Sequence, residues 1–200
     1  MHGLLILMAS VHILTSEVSR MTLAKENGTV VSLTEQRARK MIAQGLDRAA
    51  RGRVDEAIEL FNKSADLYPT SEAYTYWGWM LGFLGYLDDA IELCKKAISI
   101  DGDFGNPYND IGTYFMKKGE LGAAIPWLEK AKNAKRYEPK HFPYMNLGRI
   151  YLHQCDFARA LAEFEVALQL NPSDEELRMV VSRIRARQKV TERPSPRLMV

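Results

Sequence analysis

Residues 144–172 read YMNLGRIYLHQCDFARALAEFEVALQLNP. Tyr144, Leu147, Gly148 and Tyr151 fall at i, i+3, i+4 and i+7, the signature of one apolar helix face. Ala160, Phe164 and Ala167 repeat that spacing in the second half. His153-Gln154-Cys155-Asp156 interrupts the pattern between them, and Pro172 stops the second run. The segment predicts two amphipathic helices joined by a short turn. A single pair of this kind cannot bury its apolar face alone, so it calls for neighbours to stack on.

The neighbours lie upstream. Gly45, Gly78, Gly112 and Gly148 are 33, 34 and 36 residues apart, and Ala57, Ala90, Ala124 and Ala160 follow the same intervals. Phe61, Cys94, Leu128 and Phe164 sit four residues after those alanines, and Ser64, Ala97, Ala131 and Ala167 sit seven after. Pro69 and Pro172 share a third column, twelve after. Markers that drift together define a period, and small residues in register let paired helices approach closely. Gly52, Gly85 and Gly119 fall between the two helices of their units, where a helix end takes a positive φ. Cys155 replaces the fourth such glycine, so that turn is expected to be strained or differently shaped.

The array resembles the tetratricopeptide repeat (TPR), a 34-residue helix pair with a large residue, Leu-Gly, Tyr, Ala, Phe, Ala and Pro in order. The fourth unit carries Tyr144, Leu147, Gly148, Tyr151, Ala160, Phe164, Ala167 and Pro172. The third carries Tyr108, Ile111, Gly112, Phe115, Gly119, Ala124, Leu128 and Ala131. The second has Tyr74, Trp77, Gly78, Leu81, Gly85, Ala90 and Ala97, with Cys94 for the Phe and Gly102 for the Pro. The first matches at Gly45, Gly52, Ala57, Phe61 and Pro69 and departs at Met41, Gln44 and Arg48. The resemblance implies an all-α fold, a right-handed superhelical α-solenoid. Four repeats, 38–70, 71–104, 105–140 and 141–172, would occupy the region 33–172.

Outside the repeats, Ser173-Asp174-Glu175-Glu176 is a capping-box pattern, and Leu177, Val180, Val181 and Ile184 follow at helical spacing. Residues 173–190 are expected to form a helix that covers the last repeat, and 191–200 a disordered tail. Residues 1–32 form an apolar segment and linker, whose run Gly3–Leu14 is too short to span a bilayer. Its length suits a signal-peptide core, but no Lys or Arg precedes it and no clear small-residue cleavage site follows. A signal, a segment packed on the repeats or filling the groove, and a start at Met21 remain open. The location is accordingly cytoplasmic, or exported if residues 1–20 are a signal. Pro126, well inside a helix, predicts a kink between Gly122 and Pro126. The extra residues of the third repeat, at Arg136-Tyr137-Glu138-Pro139, predict an extended loop on one edge.

Composition narrows the function. Of 200 residues, 46% are hydrophobic and 26% charged, with 27 Lys+Arg against 25 Asp+Glu, values that exclude wholesale disorder. The repeats hold 17 basic and 18 acidic groups, while 173–200 holds seven basic and four acidic. That tail, with the basic cluster Lys130, Lys132, Lys135, Arg136 and Lys140, raises a nucleic-acid adaptor as an alternative, against a solvated surface as the simpler reading. His141 and His153 are twelve residues apart on one predicted helix, too far to share a metal, and Cys94 and Cys155 occupy repeat columns. No dinucleotide, P-loop or nucleophile-elbow motif occurs, so neither an enzyme, a cofactor nor a metal site is expected.

In TPR proteins the first helix of each repeat lines a concave groove that holds an extended or helical peptide, and the resemblance implies the same here. The expected lining is Thr75, Tyr76, Trp79 and Phe83 from the second repeat. Asn106, Asn109, Asp110, Thr113 and Met116 come from the third, and Phe142, Met145, Asn146, Arg149 and His153 from the fourth. Aromatic and Met side chains offer apolar anchor pockets. Asn106, Asn109 and Asn146 can donate and accept to an extended backbone, while Lys117 and Arg149 could pair with an acidic side chain. The carboxylate clamp of chaperone-binding TPR domains is not matched. One frame gives Ile42, Leu46, Tyr76, Asn106 and Asp110; the other gives Thr75, Trp79, Asp110, Phe142 and Asn146. The expected function is a non-enzymatic scaffold for a protein or peptide partner with apolar anchors. A secretion-type chaperone for an amphipathic client segment is an alternative.

Overall fold

Ser32 opens the helical array. Its Oγ accepts a hydrogen bond from the Glu35 N–H at 3.1 Å and so starts helix α1, Leu33–Ala50. The computed structural model describes residues 32–191, so the readings made for 1–31 and for the tail beyond 191 lie outside the described residues. Helices follow in order: α2 Val54–Leu67, α3 Ser71–Leu84, α4 Leu87–Ile100, α5 Asn106–Lys117, α6 Leu121–Asn133, α7 His141–His153, α8 Phe157–Leu170 and α9 Glu175–Thr191. Each odd helix up to α7 packs most extensively on the even helix after it. The odd helices α1, α3, α5 and α7 also touch one another in succession, whereas among the described residues the even ones do not. The array therefore curves with the odd helices inside, an all-α repeat solenoid.

The recurring small residues meet the recurring large ones. A Cβ placed on Gly45 would lie 2.5 Å from the Phe61 ring, on Gly112 2.6 Å from Leu128, and on Gly148 2.5 Å from Phe164. Those distances are far inside van der Waals contact, so glycine is what lets each pair close. In the second pair the partner is the smaller Cys94, and the nearest atoms stand off to 3.1–3.3 Å. Ala57, Ala90, Ala124 and Ala160 are fully buried in the same seams.

The turns inside the pairs are uniform. Gly52, Gly85, Gly119 and Cys155 have φ of 72, 93, 79 and 59°. In each turn the next N–H reaches back to a helix carbonyl: Arg53 to Arg48, Tyr86 to Leu81, Glu120 to Phe115 and Asp156 to Tyr151, at 2.9–3.0 Å. Cys155 does not reshape its turn; it adopts the glycine geometry with a Cβ present, which is strained by about 1–2 kcal/mol.

Three further expectations meet the structure. α6 continues as one helix through Pro126, so the proline expected to kink it between Gly122 and Pro126 does not end it. Gly122, whose carbonyl loses its donor to the proline ring, is exposed, as are Ala123 and Pro126, so water can satisfy that oxygen. The α6–α7 connection is not a free edge loop. The Arg136 N–H bonds the Asp103 carbonyl at 2.9 Å, and its own carbonyl accepts from Gly105 at 2.8 Å, a single parallel bridge that buries Tyr137. The last helix is capped by Asp174, whose carboxylate accepts from the Leu177 N–H at 2.8 Å, while Ser173 bonds Asn171 instead. Leu177, Val181 and Ile184 are buried in one cluster with α8, which gives the solenoid a closed end.

Candidate peptide-binding groove

The inner face is built around α5, which the contacts place between α3 and α7. One side of α5 grips α3. The Tyr114 hydroxyl donates to the Gly78 carbonyl at 3.2 Å, and Lys117 Nζ donates to the Gly82 carbonyl at 3.1 Å. Gly82 permits this approach, because a Cβ there would lie 2.3 Å from the Tyr114 ring. Lys117 Nζ also stands over that ring, 5.7 Å from its centroid. Lys117 is thus held inward by neutral groups rather than extended toward an acidic ligand.

The other side of α5 meets α7 through polar side chains. Asn146 Nδ2 donates to Asn109 Oδ1 at 3.0 Å and lies 3.4 Å from Thr113 Oγ1. Thr113 Oγ1 donates to the Asn109 carbonyl at 3.0 Å. Arg149 Nη1 donates to Asn146 Oδ1 at 3.3 Å, with the Arg149 side chain otherwise exposed. Two helices from adjacent pairs are joined by these side chains, of which Asn146 is buried while Asn109 and Thr113 are partly exposed.

Asp110 sits between these sets and is partly buried. The Asn109 side chain, whose oxygen accepts from Asn146, favours its ionised form. Burial pushes the Asp110 carboxyl up to about 7, against the smaller opposing pull of Lys117 and Asn109. Burial likewise raises Tyr114 and Cys94, and the Asp110 charge adds to both.

The structure separates the expected lining into accessible and inaccessible members. Thr75 is buried and its hydroxyl bonds the Ser71 carbonyl at 2.7 Å; Tyr76 is buried with its ring 5.7 Å from Phe61. Tyr76 belongs to the cluster formed with α1 and α2, and with both side chains buried neither offers a surface to a ligand. Trp79 is partly buried on the α1–α3 cluster, and Phe83 is exposed at the end of α3. Met116 and Met145 are partly buried on the cluster that includes α7 and α8. Phe142 stacks on His141 at 4.4 Å, and His153 is exposed at the end of α7. Asn106 is partly buried and its Oδ1 has no hydrogen-bond partner. Tyr114 was not among the expected residues; its spacing of four after Asp110 on one helix was the available signal. No His/Cys/Asp/Glu group among the described residues could hold a metal ion.

A curved helical-repeat surface with a polar floor and apolar flanks defines a protein–protein interaction scaffold. Tetratricopeptide-repeat family models match residues 72–104 and 141–174, and the chain is a tetratricopeptide-repeat protein. It is 31% identical over 135 residues to the mitochondrial import receptor subunit TOM70 of Rattus norvegicus, a match over 66% of this chain and 20% of that protein. The chain therefore spans about a fifth of the length of that curated relative. Among solved structures, pilF of Pseudomonas aeruginosa superposes with a TM-score of 0.74 at 19% identity, covering 80% of this chain and 72% of the other. YrrB, described as a TPR protein with an unusual peptide-binding site, superposes with a TM-score of 0.57 at 17% identity, covering 76% and 78%. No helix among the described residues is long and apolar enough to cross a membrane.

Proposed function

We propose that the groove binds an extended segment of a partner protein, and that the chain does this without catalysing a reaction. The observation that carries this reading is the Asn109–Asn146–Thr113 bridge between α5 and α7. The partly exposed Asn109 amide can meet the N–H and C=O groups of an extended backbone, while buried Asn146 holds it in place. Trp79, Phe83, Met116 and Met145 supply apolar contact beside it. The description of YrrB as a peptide binder is consistent with this use of the fold. Among the basic side chains that raised nucleic acid as a ligand, Lys132 pairs with Glu163 at 3.0 Å, Lys135 with Asp103 at 2.9 Å and Arg185 with Glu165 at 2.7 Å.

The test is a phage-displayed peptide selection on the wild-type chain, followed by anisotropy titration of the recovered peptides. Trp79→Ala with Asn109→Ala should weaken binding at least about tenfold, the equivalent of one lost anchor. Glu92→Ala, on exposed α4, should leave it unchanged. Equal affinity in all three proteins would place the binding surface elsewhere.

A further inference from the structure

We infer that the groove selects a ligand bearing a basic side chain, whose cation docks on the Asp110 carboxylate. The inference rests on the groove-binding reading above and names the chemistry of its ligand. Asp110 lies at the middle of the inner face, one residue from Asn109, the amide that joins α5 to α7. Among the described residues no ion pair reaches its carboxylate; Lys117 and the neutral Asn109 amide act on it more weakly than burial does. The cation best placed to neutralise it, Lys117, donates instead to the Gly82 carbonyl and stands over the Tyr114 ring. The fold therefore holds a partly buried carboxylate on its inner face with Lys117 nearby but no direct ion pair.

Such an arrangement penalises the ionised acid, and burial raises its pKa accordingly. An incoming ammonium or guanidinium would remove that penalty, and the local exclusion of water would strengthen the pairing. A ligand carboxylate at the same place would add a like charge and be rejected. The titratable groups around Asp110 are Lys117 and Tyr114 on α5 and Cys94 on α4. Arg149 on α7 lies beyond Asn146 and is directed to its oxygen. Lys117 pulls on the Asp110 charge from a distance but forms no ion pair with it, Tyr114 and Cys94 are neutral, and Arg149 is engaged elsewhere.

The experiment uses the full chain and three pools of fluorescein-labelled peptides with identical apolar content and randomised flanks. The central residue is Lys in one pool, norleucine in the second and Glu in the third. At pH 8 the wild type should bind the Lys pool about tenfold more tightly than the norleucine pool, and the Glu pool more weakly still. Asp110→Asn should abolish the Lys preference while retaining norleucine-pool binding, which shows that the groove is intact. Lowering the pH to 5 should remove most of the preference in the wild type and change nothing in the variant. If the norleucine pool binds but Lys gives no advantage, the basic-ligand inference is overturned and groove binding stands. A Lys preference that survives Asp110→Asn also overturns it, by placing the acceptor elsewhere. If no pool binds, both readings fall together.

Discussion

Asp110→Asn should stabilise the protein, and the gain should grow with pH. A carboxyl with a pKa of about 7 in the folded chain and 3.8 as its ordinary value holds a proton in the native state that the unfolded chain has lost. Between those values the unfolded chain binds fewer protons, so stability falls as pH rises through the window and levels off above about 7. The difference is about three pK units, each equivalent to about 1.4 kcal/mol, which sets an upper bound of about 4 kcal/mol at pH 8. Asp110 is partly rather than fully buried, and solvent screening brings the expected gain to about 2 kcal/mol. Asparagine keeps the size and the acceptor for Asn109 and removes the charge. The assay is urea unfolding followed by circular dichroism, with wild type and variant compared at pH 4 and pH 8. Taking the difference between the two proteins cancels the other carboxylates. The curves should nearly coincide at pH 4, with the variant ahead at pH 8. A variant that is less stable at pH 8, or a difference that is the same at both pH values, would refute the assignment of a desolvated, unpaired carboxyl.

Other substitutions test the packing. Gly148→Ala drives a methyl to 2.5 Å from the Phe164 ring and should cost about 1–3 kcal/mol in urea unfolding. Gly78→Ala meets its neighbours only at 3.1–3.4 Å, and the helix propensity gained, about 1 kcal/mol, should hold the net change near zero; equal losses at the two sites would contradict the close-contact account. Cys155→Gly removes a Cβ from a residue with φ of 59° and should raise stability by about 0.5–1 kcal/mol, despite the added freedom of the unfolded chain; a loss would show that the turn is not strained. Arg136 bonds Glu72 at 3.0 Å, pairs with Asp101 and covers the Phe104 ring, so Arg136→Ala should speed hydrogen exchange of the 101–105 and 134–140 segments while leaving α1 and α2 unchanged.

The sequence exposes contacts whose partners recur at a fixed interval, and hides those made once. Gly148 and Phe164 belong to columns that repeat through the chain, so their meeting can be inferred from register alone. The same logic expects Thr75 and Tyr76 to line the groove, since equivalent positions are treated alike. That equivalence fails on α3, where Phe61 of α2 draws the Tyr76 ring into the core and the Thr75 hydroxyl turns back to Ser71. The insertion at 136–139 was legible as extra length, but its bridge to Asp103 and Gly105 depends on a loop 31–33 positions earlier that carries no repeat signature. The groove's polar centre is of the same kind. Asn146 meets Asn109 across 37 residues, and Tyr114 meets Gly78 across 36, through side chains that occur at one register only. Periodicity specifies the backbone on which those side chains are mounted. Asp110 is unpaired because Lys117, on the same helix, is satisfied by a carbonyl exposed through Gly82. Neither the glycine nor the lysine signals this alone, since the effect belongs to their packing across two units. A desolvated carboxylate weakens the fold that holds it, whereas an Asn at the same place would not; the compensating free energy is therefore expected from a cationic ligand, and the pH-dependent stability and the Lys-selective binding should disappear together in Asp110→Asn.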